Sequence, residues 1–476
     1  MKKLSVYIII ILLIAAGVFF VSRNYIGENI VYTIELQENG FSPQELTIQK
    51  GDTVKFVSKT RTFWPASNLH PSHAIYSEFD PKEPIGAGES WSFRFNKSGE
   101  WKYHDHLAPY FTGMIIVGEK NKVSKNTTKD ECFRLRSSVY CWQEELFAVL
   151  KQEGLNATFD RLAIIYNRDE AFKDSCHQLT HNIGIVSYAD YLKDKDSVLT
   201  PRASVCGNGF YHGFMEAFLS TNLNPGEARE FCKYVDKKLT PQSPDAALQC
   251  YHGIGHGAMD IAIISGSEGE NEKDFIEPAL EICRGASDTE DQLYRCASGV
   301  FNGIANFYIE GEFGLSINEE DPLWLCHNQP EEFKLSCYGN MNSALYWYSN
   351  NDFSRAVRYV ESISDESQAI SAVQYLAALA SIYEGKDVST VVTDCRLLQD
   401  SLHLSCIQGF AHGFLEHGTP GLEYEDALNF CRSDKLTQEE KDVCFRYALN
   451  LGGWYPEEKI QKICSGVEEE YKKFCE

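Results

Sequence analysis

The chain of 476 residues carries 44 Lys and Arg against 68 Asp and Glu, a formal net charge of −24. This length predicts two or three domains, since most domains span about 100–200 residues. The 43% share of hydrophobic residues excludes wholesale disorder, and the acidic excess argues against nucleic acid as a partner.

The first predicted element is an apolar helix at the N-terminus. Lys2 and Lys3 precede an uncharged run at residues 4–22, which as a helix is about 28 Å long, close to the ~30 Å core of a bilayer. The basic pair favours a cytoplasmic N-terminus. We therefore predict a transmembrane anchor over residues 1–27, with the membrane as a partner. The alternative is a cleaved signal peptide, and both alternatives place the rest of the chain beyond the membrane.

Residues 28–119 show the alternation of apolar and polar side chains that is typical of β-strands. Turn sequences such as Asn39-Gly40 and Lys97-Ser98-Gly99 separate the strands. Several short strands divided by turns predict an all-β antiparallel sandwich. The strand-like runs are residues 31–36, 53–57, 90–95, 101–106 and 114–117.

Two stretches of this region resemble the cupredoxin family, in particular plastocyanin- and EfeO-type domains. They read GFSPQELTIQKGDTVKFV at residues 40–57 and GEWKYHDHLAPYFTGMIIV at residues 99–117. The resemblance implies a Greek-key sandwich whose copper ligands gather in the last hairpin. However, Asp105, Ala108 and Phe111 stand where the family has its cysteine, histidine and methionine ligands. Because a blue-copper centre requires the thiolate, we expect no such centre here.

Three histidines remain as candidate metal ligands. His73 matches the upstream histidine that ligates copper in the family, and His104 and His106 are similar to the His-x-His string of multicopper oxidases. Residues two apart on a strand point to the same face. Imidazoles suit Cu(II), with Zn(II) as the second choice of metal. We therefore predict a non-blue copper site at His73, His104 and His106; the alternative is a cluster of hydrogen-bonded histidines without metal.

A polar linker at residues 120–130 leads into a cysteine-containing repeat region, residues 131–476. The motif Cys-x-x-Gly-x-x-His-Gly begins at Cys206, Cys250 and Cys406, and a fourth copy at Cys296 has Asn in the histidine position. The period is about 40–46 residues, with one longer gap. Helix-start signals within these units predict an all-α repeat domain of solenoid type.

All 16 cysteines lie in this last region. Their even number and the absence of any Cys-x-x-Cys motif favour disulfides over zinc sites. Disulfides persist outside the cytosol, so we predict an extracytoplasmic location, periplasmic or extracellular. The predicted pairs are neighbours in the chain: 132–141, 176–206, 232–250, 283–296, 326–337, 395–406, 431–444 and 464–475.

The glycines and histidines of the motif lie along one helix seam. Glycines three and four residues apart predict close approach of a neighbouring helix. The seam position is His in three copies and Asn in two, with Asn302 in the Cys296 copy and Asn450 in a weaker copy that begins at Cys444. One interpretation is therefore structural hydrogen bonding. The other is a metal or ligand site assembled from His181, His212, His252, His256 and His412.

The sequence therefore predicts a membrane-anchored, extracytoplasmic protein with a cupredoxin-like sandwich and a disulfide-linked helical repeat domain. Its predicted function is copper binding, with the helical domain used for docking a protein partner or for handling metal. Two other functions remain open. One is a metal-free interaction scaffold, and the other is an enzyme whose active site is the histidine-lined helical seam.

Overall fold

The computed structural model describes residues 30–37, 40–73, 75–118, 138–222, 224–264, 272–383 and 387–475. The described chain begins with a β region and continues as helices. The β region has eight strands among its described residues: β1 (Val31–Gln37), β2 (Gly40–Ser42), β3 (Glu45–Ile48), β4 (Thr53–Ser58), β5 (Pro65–Ser67), β6 (Ser90–Arg94), β7 (Gly99–Asp105) and β8 (Ala108–Val117).

The strands form two four-stranded sheets, ordered β2-β1-β4-β6 and β3-β8-β7-β5. The alternating sequence of β4 turns Val54 and Phe56 inward, where both are fully buried. Phe56 contacts Phe79 and Tyr103 at ring-centroid distances of 5.5 and 5.3 Å. The β region is thus a sandwich with an aromatic core, as predicted, but its sheets are mixed and not purely antiparallel, because β1 pairs in parallel with β4 and β3 with β8.

The helical region follows the sandwich. Among its described residues it contains eighteen α-helices: α1 (Ser138–Glu153), α2 (Leu155–Arg168), α3 (Cys176–Tyr191), α4 (Gly209–Asn222), α5 (Pro225–Leu239), α6 (Ala246–Ile264), α7 (Lys273–Ala286), α8 (Glu290–Glu310), α9 (Trp324–His327), α10 (Glu331–Asn340), α11 (Asn342–Tyr348), α12 (Phe353–Val360), α13 (Glu366–Tyr383), α14 (Val388–Cys395), α15 (Asp400–His417), α16 (Glu423–Cys431), α17 (Gln438–Ala448) and α18 (Glu457–Ser465).

The motif glycines allow neighbouring helices to touch backbone to backbone. A Cβ atom on Gly255 of α6 would lie 2.0 Å from the carbonyl oxygen of Cys296, and one on Gly299 of α8 would lie 2.0 Å from that of His252. No other residue fits at these distances. The close helix approach predicted from the glycine spacing is therefore present, and it sets where the seam histidines lie.

Seven disulfides among the described residues link segments of the helical region to one another. They join the predicted pairs from Cys176–Cys206 to Cys464–Cys475. The remaining predicted pair involves Cys132, which lies outside the described residues. Disulfides in this number are typical of proteins that reside in an oxidising compartment.

The helical region closes on itself, a feature that the predicted solenoid-like repeat does not specify. The Tyr166 hydroxyl of α2 donates to the carbonyl of His417 at 2.8 Å, and Gly207 N–H donates to the carbonyl of Glu416 at 3.2 Å. The end of α15 thereby meets the beginning of the region. The closed array surrounds a cavity of about 770 Å³ that is lined by residues of both ends.

No helix of the described residues is long and apolar enough to cross a membrane, and this finding contradicts the predicted transmembrane helix. The run at residues 4–22, on which the prediction rested, lies outside those residues. The same finding contradicts the predicted membrane partner and leaves the predicted membrane-anchored location without support.

Candidate metal centre at the junction of the two regions

The sandwich packs directly onto the helical array. Trp64, Leu69 and Leu107 of the sandwich are fully buried and belong to the same apolar core as the helices. Gln178 and Asn182 of α3 both donate side-chain hydrogen bonds to the carbonyl oxygen of His70. The loop that follows β5 is therefore held by the helical array as well as by its own sheet.

Four histidines of the sandwich converge at this junction: His70, His73, His104 and His106. The first two lie in the loop after β5, His104 ends strand β7 and His106 lies in the turn before β8. Each is 2% exposed or less, and one ring nitrogen from each lies within 4.8 Å of the others. The three sequence-predicted residues are brought together, and His70, whose only sequence signal is its place in the same short loop, joins them.

The tautomer of His73 is set by a buried carboxylate. Its Nδ1 lies 2.6 Å from Asp80 Oδ2. Burial by itself raises the pKa of Asp80, but hydrogen bonds from His73, the Lys82 backbone and Trp64 outweigh burial and bring that pKa far below its usual range. An ionised Asp80 requires a proton on His73 Nδ1. The lone pair of His73 is then on Nε2, which faces His106 Nδ1 at 2.9 Å.

A second pair of rings presents lone pairs to each other. His104 Nδ1 lies 3.2 Å from Asn68 Oδ1, and His70 Nε2 lies 3.1 Å from Glu216 Oε2. These two acceptors favour protons on the outer nitrogens. The inner nitrogens, His70 Nδ1 and His104 Nε2, are then both unprotonated, and they are 3.1 Å apart. Two lone pairs at this distance repel unless a cation lies between them.

Burial disfavours protonation of three of these imidazoles. It lowers the pKa of His70, His104 and His106, and the neighbouring rings lower the last two further. Neutral imidazole is the form that binds metal. The ring of His106 also stacks on Trp64 at a centroid distance of 4.4 Å, which fixes its plane. The four side chains are thus a candidate metal site held in place before any ion binds.

Asp105, at the position of the family's cysteine, does not belong to the histidine cluster and supports the neighbouring loop. Its Oδ1 accepts the backbone N–H of Trp64 at 2.8 Å, and its Oδ2 lies 2.6 Å from the Arg61 guanidinium. Burial raises the pKa of this carboxyl although Arg61 lowers it. Asp105 therefore anchors the loop before β5 from the face opposite to the histidines.

Histidines of the helical array lie next to this cluster. Glu216 of α4 is buried, and its Oε1 lies 3.2 Å from His181 Nε2 and 3.5 Å from His256 Nδ1. Burial opposes ionisation of Glu216, but the facing rings of His181 and His70 bring its pKa well below the usual range. One carboxylate thus contacts imidazoles from both regions of the molecule.

A separate group of three histidines lies in the array itself. His212, His252 and His256 are buried, and one ring nitrogen of each lies within 4.8 Å of the others. The centroid of the His212 ring is 4.6 Å from that of His252 and 4.8 Å from that of His256. Among the predicted seam residues, His412 is directed elsewhere, because it bonds to the Tyr447 hydroxyl and to Glu416.

Comparisons with known proteins give only weak similarities. No family model and no curated protein matches the chain. Among solved structures, it is similar to a purple cupredoxin from Nitrosopumilus maritimus, with 21% identity over 18% of this chain and 99% of that chain, and a TM-score of 0.17.

Two further solved structures are similar to a comparable share of the chain. A Cu-containing nitrite reductase from Thermus scotoductus SA-01 is 26% identical over 20% of this chain and 23% of that chain, with a TM-score of 0.16. A reduced amicyanin variant is 17% identical over 19% of this chain and 86% of that chain, with a TM-score of 0.17. Since all three TM-scores are far below 0.5, the site is interpreted from its own residues.

Proposed function

We propose that this protein binds copper at a non-blue site formed by His70, His73, His104 and His106. The observation that carries the proposal is the convergence of four buried imidazoles, in which His70 Nδ1 and His104 Nε2 lie only 3.1 Å apart. The outer nitrogens of His73 and His104 lie at hydrogen-bond distance from Asp80 and Asn68, and that of His70 lies 3.1 Å from Glu216. Acceptors in these places favour lone pairs on the inner nitrogens, as expected for metal-binding histidines.

The chemistry of the donors selects the metal. Four imidazoles with no thiolate and no carboxylate among them suit Cu(II) better than the hard ions Ca²⁺ and Mg²⁺, which prefer oxygen. The described cluster contains no cysteine, so the bound copper lacks the intense thiolate absorption of a blue centre. We also propose that the protein functions in an extracytoplasmic compartment. The seven disulfides among the described residues of the array support this location.

The test uses the full chain, because helices α3 and α4 contact the site. The protein is stripped with a chelator, loaded with Cu(II) and desalted, and its copper content and electron paramagnetic resonance spectrum are measured. We expect stoichiometric copper with a non-blue spectrum. The double substitution His73→Asn with His104→Asn removes this copper, whereas His327→Asn, at a partly exposed histidine paired with Asp321, leaves it in place.

Two outcomes would contradict the proposal. Failure of the folded, unsubstituted chain to retain copper would favour the metal-free scaffold. An intense blue absorption band would require a thiolate ligand and would therefore exclude the four-histidine site.

A further inference from the structure

We propose that the helical array binds a second metal ion through His212, His252 and His256, at a site that faces the central cavity. These residues lie outside the sandwich cluster and come from two helices, α4 and α6. The proposal stands on its own geometry and does not require copper in the sandwich.

The first observation is the set of buried nitrogens without partners. His212 is 5% exposed, and neither of its ring nitrogens has a hydrogen-bond partner. His256 is 7% exposed, and its Nε2 also has none. Buried polar atoms in folded proteins almost always have partners. These three atoms belong to His212 and His256, and a ring nitrogen of His252 lies within 4.8 Å of one from each of them, so the group is arranged to share one ligand.

The tautomer of His256 supports the same conclusion. Its Nδ1 lies 3.5 Å from Glu216 Oε1, and an acceptor in that place favours a proton on this nitrogen. The lone pair is then on Nε2, the atom without a partner. This arrangement of a carboxylate behind a metal-binding imidazole is the outer-shell pattern that orients histidine ligands.

The local sequence explains why the rings meet. Gly209 and Gly253 each precede a motif histidine by three residues, and a Cβ on Gly253 would lie 2.4 Å from the Tyr211 carbonyl oxygen. Close contact of α4 with α6 therefore stacks His212 on His256 with an interplanar angle of 19°. The next copy of the motif has Asn302 at this position, so the group ends at the third imidazole.

The surroundings indicate what else could bind there. Three histidines leave a coordination position open on a four-coordinate ion, as in catalytic zinc sites. All three line the cavity of about 770 Å³, together with Arg295 and Asp260. The site therefore fits a divalent ion of the copper or zinc type that carries water or a small anion in the open position.

The experiment counts copper ions in the full chain after chelator treatment, Cu(II) loading and desalting. We expect about two copper ions per chain. The pair His252→Asn with His256→Asn, and the single change His212→Asn, each reduce this to about one while leaving the spectrum of the sandwich copper unchanged. The matched control is His412→Asn, which alters the same motif position in another copy and leaves both ions bound. Asn stands naturally in the Cys296 copy at the position of His212, His256 and His412, so substitutions there are expected to fold, and circular dichroism can verify this for all the variants.

The result also separates this inference from the function proposed above. One copper that survives all the helical substitutions would overturn the second site and leave the first intact. One copper that is lost with His212→Asn and kept in the sandwich variant would support the second site and overturn the first. Addition of sodium azide to the loaded chain should produce a new absorption band only when the helical histidines are present; its absence would exclude an open position.

Discussion

The sandwich and the helical array each bring histidines together, but they support them in different ways. In the sandwich, the outer nitrogens of His73 and His104 lie against Asp80 and Asn68. In the array, His212 has no hydrogen bond to either ring nitrogen. The sandwich cluster is thus oriented by its own hydrogen bonds, whereas the helical cluster is positioned by the packing of the helices that carry it.

This difference predicts different sensitivities. A cluster oriented by neighbouring acceptors should lose metal affinity when an acceptor changes. A cluster positioned by packing should lose affinity when a helix moves, even if no ligand is altered. Changes to disulfides and glycines should therefore weaken metal binding mainly in the helical cluster. Changes to the carboxylates that lie behind the histidines should weaken it mainly in the sandwich cluster.

The largest effect is expected from the disulfide that precedes His252. Replacing Cys232 and Cys250, separated by 18 residues, with Ser should lower the free energy of unfolding by about 3 kcal/mol, because the bond no longer restricts the unfolded chain. The helical metal should weaken and the sandwich metal should not. Chemical denaturation and copper titration give the two quantities.

The matched control for this disulfide is the pair Cys431 and Cys444, separated by 13 residues. Their replacement with Ser should cost a similar ~3 kcal/mol and leave both metals bound. If this distant change removed the helical metal equally, the cluster would depend on the stability of the whole array and not on local packing.

The next effect is expected at the contact between α6 and α8. Gly255→Ala places a Cβ 2.0 Å from the Cys296 carbonyl oxygen, so the helices must separate at a cost of about 1–3 kcal/mol. The affinity for metal at His252 and His256 should fall because the helices separate. Gly285→Ala, in a helix with no atom within 4 Å of the new Cβ, should instead be neutral or stabilise by up to ~1 kcal/mol. Equal melting temperatures for the two variants would contradict the packing explanation.

Much of each region could be predicted from short-range sequence patterns. Alternation in residues 31–36 and 53–57 predicted the strands, and the spacing of cysteines predicted seven observed disulfides. The glycine spacing predicted close helix contact, which Gly255 and Gly299 confirm. These features depend on residues close together in the chain or on a repeat that occurs several times.

The junction could not be predicted in this way. His70 and Glu216 lie 3.1 Å apart although 146 positions separate them in the chain. No local sequence pattern predicts this contact. The predicted polar linker suggested two independent regions, whereas the sandwich packs on the array. Closure of the array, through Tyr166 and His417, likewise depends on the summed curvature of many helix pairs and not on any single motif.

A smaller effect should separate the two supporting carboxylates of the sandwich. Asp80→Asn removes the charge that orients His73, so copper affinity should fall about 10–100-fold. Asp105→Asn removes a buried partner of Arg61 on the opposite face and should lower stability without a change of this size in copper affinity. Competition with a chelator of known affinity measures the first effect, and thermal unfolding measures the second. An equal loss of copper affinity in both variants would mean that general loosening of the sandwich, and not ring orientation, is responsible.

The smallest effect is expected at Glu216, where the comparison between the clusters is most direct. Its two oxygens lie 3.1 Å from His70 Nε2 and 3.5 Å from His256 Nδ1, so it supports one ligand in each proposed site. Glu216→Gln keeps the shape and one acceptor oxygen but removes the charge, and each site should lose about 1 kcal/mol of binding free energy, roughly fivefold in affinity. Isothermal titration of the unsubstituted chain and of the variant, with each site also studied alone in the histidine variants, resolves the two affinities. A loss confined to the sandwich would make Glu216 a partner of His70 only. Losses at both sites would mean that one side chain of α4 supports metal binding in two regions that the sequence presents as separate domains.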